Sequence, residues 1–173
     1  MEATIDPTVK LTKFLKEDKL EEAFHMALSA GDVDVVAWLC NQVELSYQEM
    51  VVLDATVPIS IILKLISLVW LQIDPMVVFQ RSPLPLGQGI LLSLVQQLGV
   101  EIEKDTKSKL RWIQEAVLSL NPKDPTVVGH VRGILEEVLS NLHRQANIAG
   151  PGDLSNQMRL VTHVVNSMLT ACK

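Results

Sequence analysis

Aromatic side chains are scarce in this chain, 4% of its residues, whereas Leu, Val and Ile are plentiful. A core that must be filled without large rings suits helix packed on helix, where small side chains with few rotamers interdigitate. Cysteine is equally sparse: Cys40 and Cys172 are the only two, and no charged-then-apolar stretch resembling a secretory signal opens the chain. That excludes a disulfide framework and points to free thiols in a reducing compartment. Cys40 falls at a helical core spacing and reads as a small buried hydrophobe. Positive charge is also short, with 15 Lys and Arg against 20 Asp and Glu, and the net of −5 argues against a general nucleic-acid binder.

The residues that carry chemistry elsewhere fail to assemble here. Gly87-Gln88-Gly89 precedes a helix, but Leu92 and the proline-broken stretch before it do not fit a dinucleotide fingerprint. His25, His130, His143 and His163 are scattered, with no partner four residues away and no cysteine cluster, so no metal site is expected. Glu21-Glu22 and Glu136-Glu137 are adjacent pairs that diverge around a helix and read as solvated faces. Neither cysteine nor any serine sits in a nucleophile motif. The chain is therefore read as non-enzymatic, without cofactor or metal.

What is present is helical periodicity. Asp6-Pro7 suits a helix start, followed by an apolar face of Leu11, Phe14 and Leu15. Leu20, Ala23, Phe24, Ala27 and Leu28 repeat the period and stop at Gly31, a natural left-handed cap. Asp32 then caps a helix showing Val35, Val36, Leu39, Cys40 and Val43, which completes an αα-hairpin of the kind stacked in helical repeats. Later come a helix capped by Asp105 or Thr106, facing inward with Leu110, Ile113, Val117 and Leu120, and one opened by Asp124-Pro125 with Val128, Val131, Leu135, Val138 and Leu142. Gly129 and Gly133 inside that helix suggest close helix contact or a bend. After the loop Ala149–Gly152 a last helix presents Leu154, Met158, Val161, Val165 and Met168. The expected fold is all-α, a single domain over 1–173 of about seven helices in stacked antiparallel pairs resembling armadillo or HEAT repeats.

Two apolar runs stand out. Ile90–Ile102, introduced by Pro83-Leu84-Pro85 and by Gly87 and Gly89 as turn formers, is apolar on nearly every side and is expected to be the helix the others pack around. Val57–Ile73 is the most apolar stretch of all and lifts the mean hydropathy to +0.26. It reaches the lower length limit of a membrane span, but Lys64 at its centre costs about 3 kcal/mol on insertion scales. A membrane-associated helical protein anchored through 57–73 is the competing reading.

The first half, Met1–Leu86, holds 6 Lys and Arg against 12 Asp and Glu, and the second half holds 9 against 8. Any anionic partner should prefer the second half. The densest positive stretch is Lys104, Lys107, Lys109 and Arg111 beside Trp112, diluted by Glu103 and Asp105. The candidate interaction surface is Lys107, Lys109, Arg111, Arg132, Arg144 and Arg159, all outside the apolar stripes. Arginine suits such a role because its planar fork offers paired hydrogen bonds to carboxylate or phosphate.

Three passages carry a family resemblance: KEDKLEEAFHMALSAGDVDVVAWLCNQV, SPLPLGQGILLSLVQQLGVEIEKDTKSKLRWIQEAVLSLNPKDP and RLVTHVVNSMLTACK. They resemble the carboxy-terminal domain of the enhancer of mRNA-decapping protein 4 family, and within it the plant, VARICOSE-type branch, over Pro7–Val43 and Pro83–Lys173. The resemblance implies a scaffold of mRNA decapping and decay in cytoplasmic processing bodies, with the decapping enzyme and its activator as partners and with homo-oligomers. It implies neither direct RNA binding nor membrane attachment. Relative to the family, 45–82 is an apolar insertion, of the kind a retained intron or a mispredicted exon would leave.

Overall fold

The computed structural model describes residues 7–53 and 86–172, with side chains placed up to Ser46 and again from Leu86. The Val57–Ile73 run, most of the 45–82 stretch and Pro83-Leu84-Pro85 lie outside the described residues. Among those described there are seven helices: α1 (Pro7–Lys16), α2 (Leu20–Ala30), α3 (Val33–Leu53), α4 (Gln88–Val100), α5 (Thr106–Ser119), α6 (Val131–Ala149) and α7 (Asp153–Ala171). No strand occurs among them, as the periodicity predicts. None of these helices is long and apolar enough to cross a membrane.

The local signals at the amino-terminal hairpin act as their chemistry requires. Gly31 takes the left-handed conformation, φ 68°, and its N–H donates to Leu28 O at 3.2 Å to close α2. Asp32 Oδ1 accepts from the Asp34 N–H at 2.9 Å, satisfying one of the unpaired amides that open α3. α3 runs on to Leu53, so the start of the 45–82 stretch falls inside a helix.

α4 is the hub, packing against α2, α3, α5 and α6. Leu91, Leu94, Val95 and Leu98 are at most 1% exposed, and Ile102, just past the helix end, is equally buried. No single face accounts for this, because the stripe is wide enough to need neighbours all round. α5 packs on α3, α4 and α7, and α6 and α7 pair with each other. Phe24 of α2 and Trp112 of α5 meet with ring centroids 5.6 Å apart at a tilt of 48°, a favourable geometry for two ring quadrupoles.

Three expectations are corrected. Asp124-Pro125 does not open α6: residues 125–130 form consecutive turns, and the helix begins at Val131. The Asp124 side chain accepts from both the N–H and the hydroxyl of Thr126, which holds its own carboxyl below the usual range and offers the backbone an alternative to helix. Val127 is consequently the buried residue there and Val128 is 57% exposed. Gly87 has φ −60° and ψ 149°, extended backbone that any residue adopts, so the entry to α4 does not depend on glycine's freedom. The glycine that close packing requires is Gly99: a Cβ there would lie 2.6 Å from Val138 Cγ2. At Gly129 and Gly133 it would meet nothing within 4 Å among the described residues.

These contrasts fix opposite outcomes for one substitution. Gly99→Ala should destabilise by about 1–3 kcal/mol through overpacking against a β-branched side chain that cannot swing away. Gly133→Ala, in open space on a helix, should stabilise by about 0.5–1 kcal/mol. Adding Val138→Ala to Gly99→Ala should show a coupling of about 1 kcal/mol or more in a urea-denaturation cycle. Independent, additive losses would mean that α4 and α6 do not approach as described.

Candidate interaction surface

The basic cluster at the start of α5 is committed to internal partners. Asp105, at φ 51°, ends the turn from α4, and the Thr106 hydroxyl donates to Ile102 O at 2.7 Å. The cations here pair with α3 and α7. Lys104 lies 3.7 Å from Asp34 of α3, and Lys107 lies 3.4 Å from Asp153 of α7. Arg111 is half-buried, its Nη2 3.8 Å from Glu44 Oε2.

Lys109 is not a surface residue. It is 2% exposed, and its Nζ donates to Glu101 O at 2.6 Å, just beyond the end of α4. A cation is favoured where a helix ends in unpaired carbonyls, and the methylene stem lies beside Ala37, Cys40, Leu98 and Trp112. The sequence carries the signal in retrospect: Lys109 stands four residues before Ile113 and eight before Val117, on the inward stripe.

Glu44 of α3 organises the junction and has no place in the apolar pattern. Its Oε1 accepts from Trp112 Nε1 at 2.8 Å, and the Ser108 hydroxyl lies between Asn41 Oδ1 at 3.1 Å and Glu44 Oε1 at 3.5 Å. Glu44 follows the core residue Cys40 by one helical turn, so a carboxylate there must find donors. Burial pushes the Cys40 thiol well up, and the nearby Glu44 charge adds to the shift. A groove of about 360 Å³ beside this junction is lined by Asn41, Thr106, Lys107, Arg111 and Leu154.

The remaining cations do not converge on one face. Arg132 Nε donates to Glu136 Oε1 at 2.9 Å, and Arg144 Nη2 donates to Asn141 Oδ1 at 3.2 Å. Twelve residues separate these two arginines on α6, about 18 Å along the axis and about 120° around it. Arg159 of α7 lines a second groove with His143 and His163. All four histidines are exposed, and among the described residues no three His, Cys, Asp or Glu side chains group as metal ligands would.

Glu44→Ala should cost on the order of 1–3 kcal/mol, because it removes the acceptor of a buried indole N–H and the counter-charge of a half-buried guanidinium. Lys104→Ala and Lys107→Ala break exposed pairs and should each stay within about 0.5 kcal/mol of wild type. Chemical denaturation of the three variants checks this ranking. Equal small effects would make the junction incidental to stability.

Comparison with known proteins agrees with this architecture. A family profile described as "Enhancer of mRNA-decapping protein 4, C-terminal" matches residues 59–161. The chain is 26% identical to Enhancer of mRNA-decapping protein 4 of Homo sapiens over 160 residues, covering 92% of this chain and 9% of that protein. It is 27% identical to the Xenopus laevis protein of the same name over 134 residues, 78% of this chain and 8% of that one. The Drosophila melanogaster homolog is 30% identical over 131 residues, 76% of this chain and 8% of that one. The chain thus spans less than a tenth of the length of these curated relatives. Its fold superposes on the crystal structure of the conserved C-terminal region of Ge-1 with a TM-score of 0.65, at 21% identity, over 93% of this chain and 97% of that one. With more than half of its residues matched by the profile, the chain belongs to the enhancer of mRNA-decapping protein 4 family, in the part that corresponds to the family's carboxy-terminal region.

Proposed function

We propose that this chain is a non-catalytic scaffold module of mRNA decapping, supporting self-association and recruitment to processing bodies in the cytoplasm. The observation that carries this reading is the family match over residues 59–161. The relatives are named for enhancing decapping, and a helical stack whose polar groups mostly serve its own packing works through its surface. The decapping enzyme and its activator are the partners in this reading, and within the family the chain stands with the VARICOSE-type branch. Direct binding of RNA is not part of it, since the net charge is −5.

The surface in question is Lys107, Arg111, Arg132, Arg144 and Arg159, from which burial removes Lys109. Arg111 is a poor probe because its reversal also disturbs Glu44. Arg132→Glu together with Arg144→Glu leaves the core untouched and should keep helicity and melting temperature at wild-type values while a tagged full chain no longer concentrates in processing bodies. Undiminished recruitment of that variant would remove these arginines from the targeting surface. Failure of the wild-type chain to enter processing bodies would remove the targeting role itself.

The 45–82 stretch is, in the same reading, an addition to the fold, although the family profile already matches its later part, from residue 59. Because α3 continues to Leu53, the cut belongs after that residue: excising 54–82 behind a flexible Gly/Ser linker should hold or raise the melting temperature. A drop of more than about 4 °C, on the order of 1 kcal/mol for a domain of this size, would place the stretch in the core instead.

A further inference from the structure

α6 and α7 form a hairpin joined by Gly150–Gly152, with Leu135, Val138 and Leu142 on one helix and Met158, Val161 and Val165 on the other buried in the core. Between the same two helices lies a groove of about 250 Å³. α6 lines it with His143 and Asn147, one turn apart, and α7 with Ser155, Arg159, Thr162 and His163, over successive turns. Each of these six side chains carries an N–H or O–H donor, and no carboxylate among the described residues lines the groove.

Two observations separate this groove from the rest of the charged surface. Ser155 is 6% exposed and lines the groove, yet its hydroxyl makes no hydrogen bond among the described residues. Arg159 has no carboxylate partner among them, as is also true of Lys10, Lys16, Lys123 and Arg144, but it alone of these cations lines a groove between two helices. Asp153, two residues before Ser155, is turned to Lys107. The donors between α6 and α7 are thus left for something outside the chain.

We propose that this groove binds a single phosphomonoester group, presented on a phosphoserine or phosphothreonine of a protein partner, with the Arg159 fork and the Ser155 hydroxyl as principal donors and His143, Asn147 and His163 around them. A phosphate offers three acceptor oxygens to converging donors and favours a guanidinium above other cations. The volume holds one such group. A nucleic-acid strand needs a track of free cations, and the cations flanking α5 are already paired. Among the described lining residues Ala146 is the one apolar side chain, too small to stack a tyrosine ring. The inference stands on the groove and not on the decapping role, so either can fail alone.

The test is an NMR titration of the full chain, in about 0.15 M salt where exposed charges are screened. The probes are inorganic phosphate and a short neutral peptide bearing one phosphoserine, against the same peptide unphosphorylated. Saturable shifts confined to Asn147, Ser155, Arg159 and the two histidines are expected with phosphate and the phosphopeptide only. Arg159→Gln should weaken binding about tenfold or more, as loss of a charge-assisted hydrogen bond does, and Ser155→Ala several-fold. Lys107→Gln should leave it unchanged. Asn147→Ala, on the other helix, supplies the same reading if Ser155→Ala alters the fold. Shifts no larger than with chloride, shifts spread over every lysine and arginine, or equal binding of the unphosphorylated peptide would each overturn the proposal. So would an oligoribonucleotide that displaces the phosphopeptide from these residues at lower concentration, because the groove would then serve an RNA backbone.

Discussion

Carbonyl groups at the ends of buried helices must find donors, and here neighbouring elements supply them. Gln97 of α4 donates to Leu28 O at the end of α2, and Gln88 of the same helix donates to Ser119 O at the end of α5. α4 is served in turn: Asn141 of α6 donates to Gly99 O at 2.9 Å, and Lys109 of α5 donates to Glu101 O. Leu28 O keeps the Gly31 N–H as a second donor, but a buried carbonyl left with none would cost about 1–3 kcal/mol, so a helix that slid along its neighbour would lose more than apolar contact. Apolar burial around α4 drives the helices together. The end caps decide how far along one another they sit.

That arrangement determines what the charged residues are free to do. Lys109 is drawn inside because α4 ends where its ammonium can reach. Arg111 and Trp112 turn to Glu44 because a carboxylate one turn beyond Cys40 has little water and needs donors. The patch that is densest in positive charge along the chain is thereby converted into internal ties, and the donors of the α6–α7 groove, less conspicuous in sequence, stay without internal partners among the described residues. For recognition of an acceptor-rich partner, free donors matter more than a count of cations.

Much of the fold was legible beforehand. The stripes of α2, α3, α4, α5 and α7 predicted which residues are buried, and Gly31 and Asp32 predicted where one helix stops and the next starts. Family membership was equally readable, because collinear strings such as the one from Ser82 to Pro125 carry it without any knowledge of packing. The opening of α6 was misread because Asp124 supports a turn as readily as a helix cap, and only the seating of Val127 in the core chooses between them.

Periodicity states which face of a helix is apolar, and it is silent on what stands opposite. For that reason the sequence determined the helices, their apolar faces and the family, all of which depend on spacing along one chain. The tertiary structure alone decided that Gly99, not Gly133, is the close-packed glycine, that Lys109 is buried and Glu44 paired, and that His143 and Arg159 line one groove. Each of these depends on the register between two helices, which is set by long-range hydrogen bonds and by side-chain volume meeting across an interface.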